Sequence, residues 1–232
     1  LISEAADTVE AGENIDSDII IPLEELAGAK GRLEVLAKQI VGHYDQRSEV
    51  INGKAMIVCM SRNICMDLYD EIVALRPDWH TDEDEGGSIK VVMDANISPR
   101  KLKKDKTGTV IRDDHGQPAY LETLEQFKQR SIRTKFHGRT KARRERLATR
   151  IKDSDDPLEL VIVCDMWLTG FDCPSLHTMY LDKPLAGHNL MQAIARVNRV
   201  FGDKPGGVIV DYLGIADQLR DAIQTYTQAG GA

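Results

Sequence analysis

Leu158–Asp165 (LELVIVCD) is a nearly unbroken apolar run, and a strand of that kind needs cover on both faces. Four further short runs share its character: Lys54–Met60 (KAMIVCM), Ser88–Asp94 (SIKVVMD), Thr178–Asp182 (TMYLD) and Gly207–Tyr212 (GVIVDY). Helical stretches separate them. Asn63–Leu75 is amphipathic and stops before Pro77, and Leu121–Ile132, Lys141–Ile151, Asn189–Val200 and Ile215–Thr227 follow. Short buried strands alternating with helices predict an α/β fold built on a doubly wound parallel sheet. A hydrophobic fraction of 42% against 29% charged residues supplies a core and excludes disorder for most of the chain. With only 5% aromatics, an all-β sandwich is disfavoured.

No apolar run approaches the roughly 20 residues of a membrane helix, and no signal peptide or lipidation motif is visible. Cys59, Cys65, Cys164 and Cys173 show no CxxC spacing. Three lie in or beside apolar runs, which predicts reduced, buried thiols and a cytoplasmic protein without a membrane partner. The first residue is Leu1, so the numbering is expected to begin inside a longer polypeptide. Residues 1–50 are expected to be a helical lead-in or linker. The apolar spacing from Pro22 to His43 is helical and interrupted near Gly28–Gly31. No internal repeat stands out.

The net charge of −7 conceals an asymmetry. From Arg100 to Lys152 there are 17 Lys/Arg against 6 Asp/Glu, while the remainder of the chain is strongly acidic. Such a block is an electrostatic footprint for a polyanion, or a solvated insertion, and the two readings are compatible. Pro99, Gly108, Gly116 and Pro118 make Asn96–Tyr120 a long loop within a basic insertion spanning about 98–136.

Ligands of open α/β sheets sit beyond the carboxyl ends of strands, which directs attention to Ser61, Arg62 and the stretch 165–172. On a helix, Gln192, Arg196 and Arg199 of QAIARVNR fall at i, i+4 and i+7 and share one face. Two guanidiniums there, with no carboxylate a turn away, suit phosphate oxygens. The structural alternative is a local partner such as Asp172 or Asp211. In VCDMWLTGFD, Gly170 permits φ > 0 or close approach to a ligand, and Asp172 is able to accept from ribose hydroxyls.

Taken together, VIVCDMWLTGFD and QAIARVNR resemble motifs V and VI of the second RecA-like domain of superfamily 2 helicases and translocases. Ala195 stands where that motif VI has glycine, Cys164 where motif V has threonine, and Thr169 where it commonly has arginine. These departures lead away from DEAD-box RNA helicases. The longer strings DMWLTGFDCPSLHTMYLDKPL, HNLMQAIARVNRVF and KPGGVIVDYLGIADQL, with GKAMIVCMSR as motif IV, resemble the motor (R) subunit of type I restriction enzymes.

That resemblance implies that residues 51–232 form the second RecA-like domain, facing an ATP site shared with a first one. Arg196 and Arg199 would then be arginine fingers and Gln192 their positioning residue. Gly170 and Asp172 would line the nucleotide. Ser61, Arg62, Cys164 and Thr169 would match nucleic-acid contacts on the opposite rim. ATP and Mg²⁺ would be bound mainly by the other domain. Implied partners are double-stranded DNA, the first RecA-like and nuclease domains of the same subunit, and the methyltransferase (M) and specificity (S) subunits. The sequence contains no G-x-x-x-x-G-K-[ST] loop, no DExH-type motif and no nuclease constellation. This polypeptide alone is therefore expected neither to hydrolyse ATP efficiently nor to cut DNA. Another superfamily 2 DNA helicase and a non-catalytic RecA-like binding module are the competing readings.

Overall fold

A computed structural model of the chain describes residues 23–214, apart from 52, 106, 169, 186 and 199–205. Arg199, Thr169 and the helix expected at Ile215–Thr227 lie outside the described residues.

Among the described residues the principal elements follow in the order α1 (Lys30–Ser48), β1 (Lys54–Cys59), α2 (Arg62–Leu75), a 3₁₀ turn (Pro77–Trp79), β2 (Ile89–Asp94), α3 (Leu124–His137), β3 (Gly138–Arg139), α4 (Lys141–Lys152), β4 (Leu160–Val163), β5 (Leu176–Asp182), α5 (Gly187–Val197) and β6 (Val208–Asp211). The six strands make one sheet in the order β3-β2-β4-β1-β5-β6. All five pairings are parallel. β1 is central, with Ala55 opposite Leu160 on one side and Thr178 on the other. The doubly wound sheet expected from the apolar runs is therefore present, and this is a RecA-like arrangement.

Alternation along the strands divides the core in two. Ile57, Val91, Ile162 and Tyr180 pack with Leu33 and Ile40 of α1 and Leu68 and Ile72 of α2. Met56, Val58, Val161 and Met179 face Leu147 and Ile151 of α4 and Leu190, Ala193 and Val197 of α5. The lead-in helix α1 thus contributes to the core.

Helix starts are set by side-chain caps. Ser61 accepts from the Ile64 amide at the start of α2, Thr140 caps α4, and Thr123 with Gln126 forms a capping box at α3.

Among the described residues, the connection from β4 to β5 has no helix. Residues 164–175 run back across the second face, burying Leu168, Phe171 and Cys173 among the residues of α4 and α5. The return is fixed by Lys152 above the Phe171 ring at 4.9 Å and by the Cys173 thiol donating to the Ile151 carbonyl at 3.3 Å.

The stretch expected to be a loop has no helix or strand among the described residues, but hydrogen bonds tie it into a knob, and it contains a repeat that the sequence reading passed over. Three extended segments close on one another: Lys103 N–H donates to Ala119 O, Ala119 N–H to Ile111 O, and Ile111 N–H to Lys103 O, each at 2.9 Å. Two like turns join them. Asp105 accepts from the amides of Thr107 and Thr109. Eight residues later, Asp113 accepts from those of His115 and Gln117. Gly108 and Gly116 occupy the left-handed position of each turn, at φ 83° and 73°.

Candidate nucleotide and nucleic-acid surfaces

Four strand ends carry the same signal, an apolar run closing on aspartate: VVMD, VIVCD, MYLD and VIVD. Asp94, Asp165, Asp182 and Asp211 consequently stand in a row at the carboxyl edge of the sheet. Most are neutralised from nearby elements. Arg62 bridges Asp94 at 3.3 Å and donates to its carbonyl at 2.8 Å. Lys183 pairs with Asp165, and Arg32 of α1 grips Asp182 with both terminal nitrogens. Asp211 accepts from the Leu213 amide at 2.9 Å. Burial raises the Asp182 carboxyl above the ordinary range, and Arg32 opposes that rise. At Asp165 the hydrogen bonds from Lys183 and Cys164 outweigh a burial penalty acting the other way, so its carboxyl is lowered. Sequence reasoning missed this row, although the repeated apolar-run-then-Asp pattern displays it.

Of the residues expected to touch nucleic acid, Ser61, Arg62 and Cys164 gather at this edge. Ser61 is the cap of α2, and its hydroxyl accepts from Ile64, which leaves the O–H able to donate. Arg62 begins the same helix and is already committed to Asp94; its Nε is buried without a hydrogen-bond partner. Cys164 turns inward, its thiol donating to the Met60 carbonyl at 3.4 Å and the Asp165 carboxylate at 3.2 Å. Burial pushes that thiol up to about 12. Ser61, Arg62 and Cys164 line one cleft of about 590 Å³ together with Lys101 and Glu122 of the knob and Arg130 of α3.

Of the residues expected to face a nucleotide, the described ones, Gln192, Arg196, Gly170 and Asp172, lie elsewhere. Because α5 joins two parallel strands, it runs antiparallel to them and carries Gln192 and then Arg196 away from the carboxyl edge. Gly207, entering β6, sits so close to the end of α5 that an added Cβ would lie 2.2 Å from the Val197 carbonyl oxygen. Gly170 and Asp172 belong to the stretch returning over the same face; the Ser175 carbonyl just beyond accepts from Lys54, the first residue of β1. Arg196, Gly170 and Asp172 therefore share the second face toward the amino ends of the strands, on the opposite rim from Ser61, Arg62 and Cys164.

Details at that rim suit an anion. Arg196 makes no ion pair among the described residues, and its Nε is buried without a hydrogen-bond partner. Of the local carboxylates considered as its partners, Asp211 is engaged with the Leu213 amide. Asp172 is exposed. Gly170 adopts φ 69° with open space where a Cβ would stand. Trp167 also has φ 69°, uncommon for a bulky residue, and its ring stacks on Phe171 at 4.4 Å, which fixes the turn between them.

Part of the basic block is neutralised, mostly by carboxylates outside it. Arg139, Arg143 and Arg150 of β3 and α4 bind Asp84 or the backbone of the acidic 80–87 loop. Arg133 reaches Asp67 and Asp70, Arg130 reaches Glu122, and Arg150 reaches Asp156. Among the described residues, no group of three or more potential metal ligands occurs. No helix there is long and apolar enough to cross a membrane.

Comparison with known proteins gives a consistent result. Residues 52–214 match the family described as type I restriction enzyme subunit R domain 3. The type I restriction enzyme HindI endonuclease subunit of Haemophilus influenzae is 46% identical over 211 residues, 90% of this chain and 17% of that protein. A Methanocaldococcus jannaschii protein, provisionally named type I restriction enzyme MjaIXP endonuclease subunit, is 40% identical over 227 residues. That alignment covers 97% of this chain and 18% of the relative, so the chain spans less than a fifth of either.

Proposed function

Because this chain belongs to the type I restriction enzyme subunit R family, as domain 3 of that subunit, we propose that it is the second RecA-like lobe of an ATP-driven translocase of double-stranded DNA within a restriction endonuclease. The observation that carries this reading is the separation of the two residue sets. A cation with no ionic partner among the described residues, Arg196, occupies one rim beside a left-handed glycine and an exposed aspartate. The cleft at the start of α2 occupies the other.

The donor set fits a nucleotide. Arg196 would direct its guanidinium at phosphate oxygens, Arg199 would join it, and Gln192 would hold their geometry. Asp172 would accept from ribose hydroxyls, and Gly170 would let backbone approach without a side chain intervening. ATP with Mg²⁺, held mainly by the first RecA-like domain, supplies the phosphoryl group whose transfer drives movement. A fixed guanidinium stabilises charge developing on such a group, an effect worth roughly 10³–10⁵ in rate. Strand cleavage would belong to the nuclease domain, and choice of DNA sequence to the S subunit acting with M.

The test is Arg196→Ala in the complete R subunit assembled with M and S. DNA-dependent ATP hydrolysis should fall by about 10³ or more, while binding of the assembly to DNA persists. ATP turnover unaffected by the substitution would refute the assignment.

A further inference from the structure

The reading above places DNA at the carboxyl edge, yet the arginines there are already occupied: Arg62 by Asp94 and Arg130 by Glu122. Arg133, on the same helix as Arg130, is held by Asp67 and Asp70. Such a guanidinium offers little net charge to an incoming phosphate. Among the described residues lining the 590 Å³ cleft, Lys101 is the one cation without a partner. Lys103 follows it two residues on, also exposed and also without a partner. In extended chain, alternate side chains project from the same side about 6.6 Å apart. That spacing resembles the distance between successive phosphates on a strand.

The backbone bearing these lysines is held in place. The Lys101 carbonyl accepts from Leu121 N–H, and Lys103 bonds both neighbouring segments of the knob. Arg100, within the knob, lies 3.9 Å over the Tyr120 ring and donates to the Glu122 carbonyl. Charge on the cleft walls is uneven. Glu24 and Glu25 of the lead-in, which also line the cleft, have no ionic partner among the described residues, whereas Asp67 of α2 and Glu122 of the knob are each neutralised by an arginine of α3. A polyanion entering the cleft is therefore repelled from the lead-in and drawn toward the knob.

We propose that the 98–122 knob is a backbone-tracking wall for duplex DNA, in which Lys101 and Lys103 contact consecutive phosphates of one strand passing the start of α2. This rests on the carboxyl edge being the DNA face and adds the residues that supply its free charge. The contacts are electrostatic and carry no sequence preference.

The test uses the complete R subunit with Lys101→Ala/Lys103→Ala, and with Lys101→Arg/Lys103→Arg as the charge-preserving control. Affinity for a random-sequence duplex is measured across a salt series. The alanine pair should lower the slope of log affinity against log salt by about 1.8, at roughly 0.9 per phosphate contact. The arginine pair should leave it unchanged, and ATP binding without DNA should be unaltered in both. An unchanged slope in the alanine pair overturns the proposal. If Arg62→Ala weakens DNA binding in that case, the carboxyl edge remains the DNA face and only the role of the knob is lost. If the alanine pair instead loosens the packing of neighbouring domains in limited proteolysis while the slope stays constant, the knob docks protein and the proposal is again overturned.

Discussion

Arg32 and Asp182, 150 positions apart in the chain, form a two-pronged ion pair that ties α1 to the carboxyl end of β5. The Asp182 side chain has no exposure. Removing the arginine would strand a carboxylate in the interior, whereas removing both groups would strand nothing. Arg32→Ala should destabilise the fold by about 3–5 kcal/mol, and Arg32→Met with Asp182→Leu by much less. Chemical denaturation midpoints of the two variants decide the matter, and equal losses would contradict a buried-charge origin.

His137 predicts a particular acid sensitivity. Burial, then the positive charges of Arg139 and Arg133, lower its ring to about 3, and it lies edge-on to Tyr69 at 4.8 Å. The unfolded chain takes up a proton near pH 6.5, while the folded ring stays neutral until about pH 3. More protons are bound by the unfolded state in that window, so stability declines as pH falls through it, by at most about 1.4 kcal/mol per pH unit from this group. His137→Gln should flatten that decline in urea melts at stepped pH. An identical pH profile for the variant would remove His137 as the cause.

Thiol reactivity offers a direct check on the carboxyl edge. With its thiol pushed up to about 12 by burial, Cys164 holds almost no thiolate at pH 8. Alkylation in the native protein, followed by mass spectrometry, should modify Cys164 much more slowly than an unperturbed cysteine. Unfolding should expose all four free cysteines together. Rapid native labelling at Cys164 would mean that its contacts with Met60 and Asp165 do not persist.

Gly207 connects packing to the rim carrying Arg196. A methyl group there would lie 2.6 Å from the Val197 Cβ and 2.2 Å from its carbonyl oxygen, so the end of α5 must move. Gly207→Ala should destabilise by about 1–3 kcal/mol and, in the complete subunit, reduce ATP turnover more than DNA affinity. A loss of DNA affinity alone would break the link between this contact and the Arg196 rim.

The sheet was legible because its strands are covered on both faces and so form uninterrupted apolar runs. β3 was not, since Gly138–Arg139 is two residues long and has no run at all. It is held by the buried Arg139–Asp84 pair, whose members lie 55 positions apart. The loop reading of 96–120 holds in that no helix or strand is described there, but the repeat was missed for a related reason: its order comes from aspartate side chains accepting backbone amides, and this leaves a D-x-x-G period of eight rather than any hydrophobic period. The charge of the basic block was visible, but its neutralisation depends on tertiary pairing that residue counts do not encode. Gln192 and Arg196 were proposed from helical spacing, and their distance from the carboxyl ends of the strands emerges only once the direction of α5 is known; that of Gly170 and Asp172 emerges only from the β4–β5 return.

The central position of β1 also constrains how the molecule assembles during synthesis. Both neighbours of this early strand are encoded more than a hundred residues downstream, with Ala55 awaiting Leu160 and Thr178. Until the ribosome has released them, KAMIVC has no hydrogen-bonding edge to join, and three helices and the knob must form beside an unfinished sheet. Closure is therefore late and all at once, which favours slow folding and leaves the nascent apolar strand a natural client for chaperones.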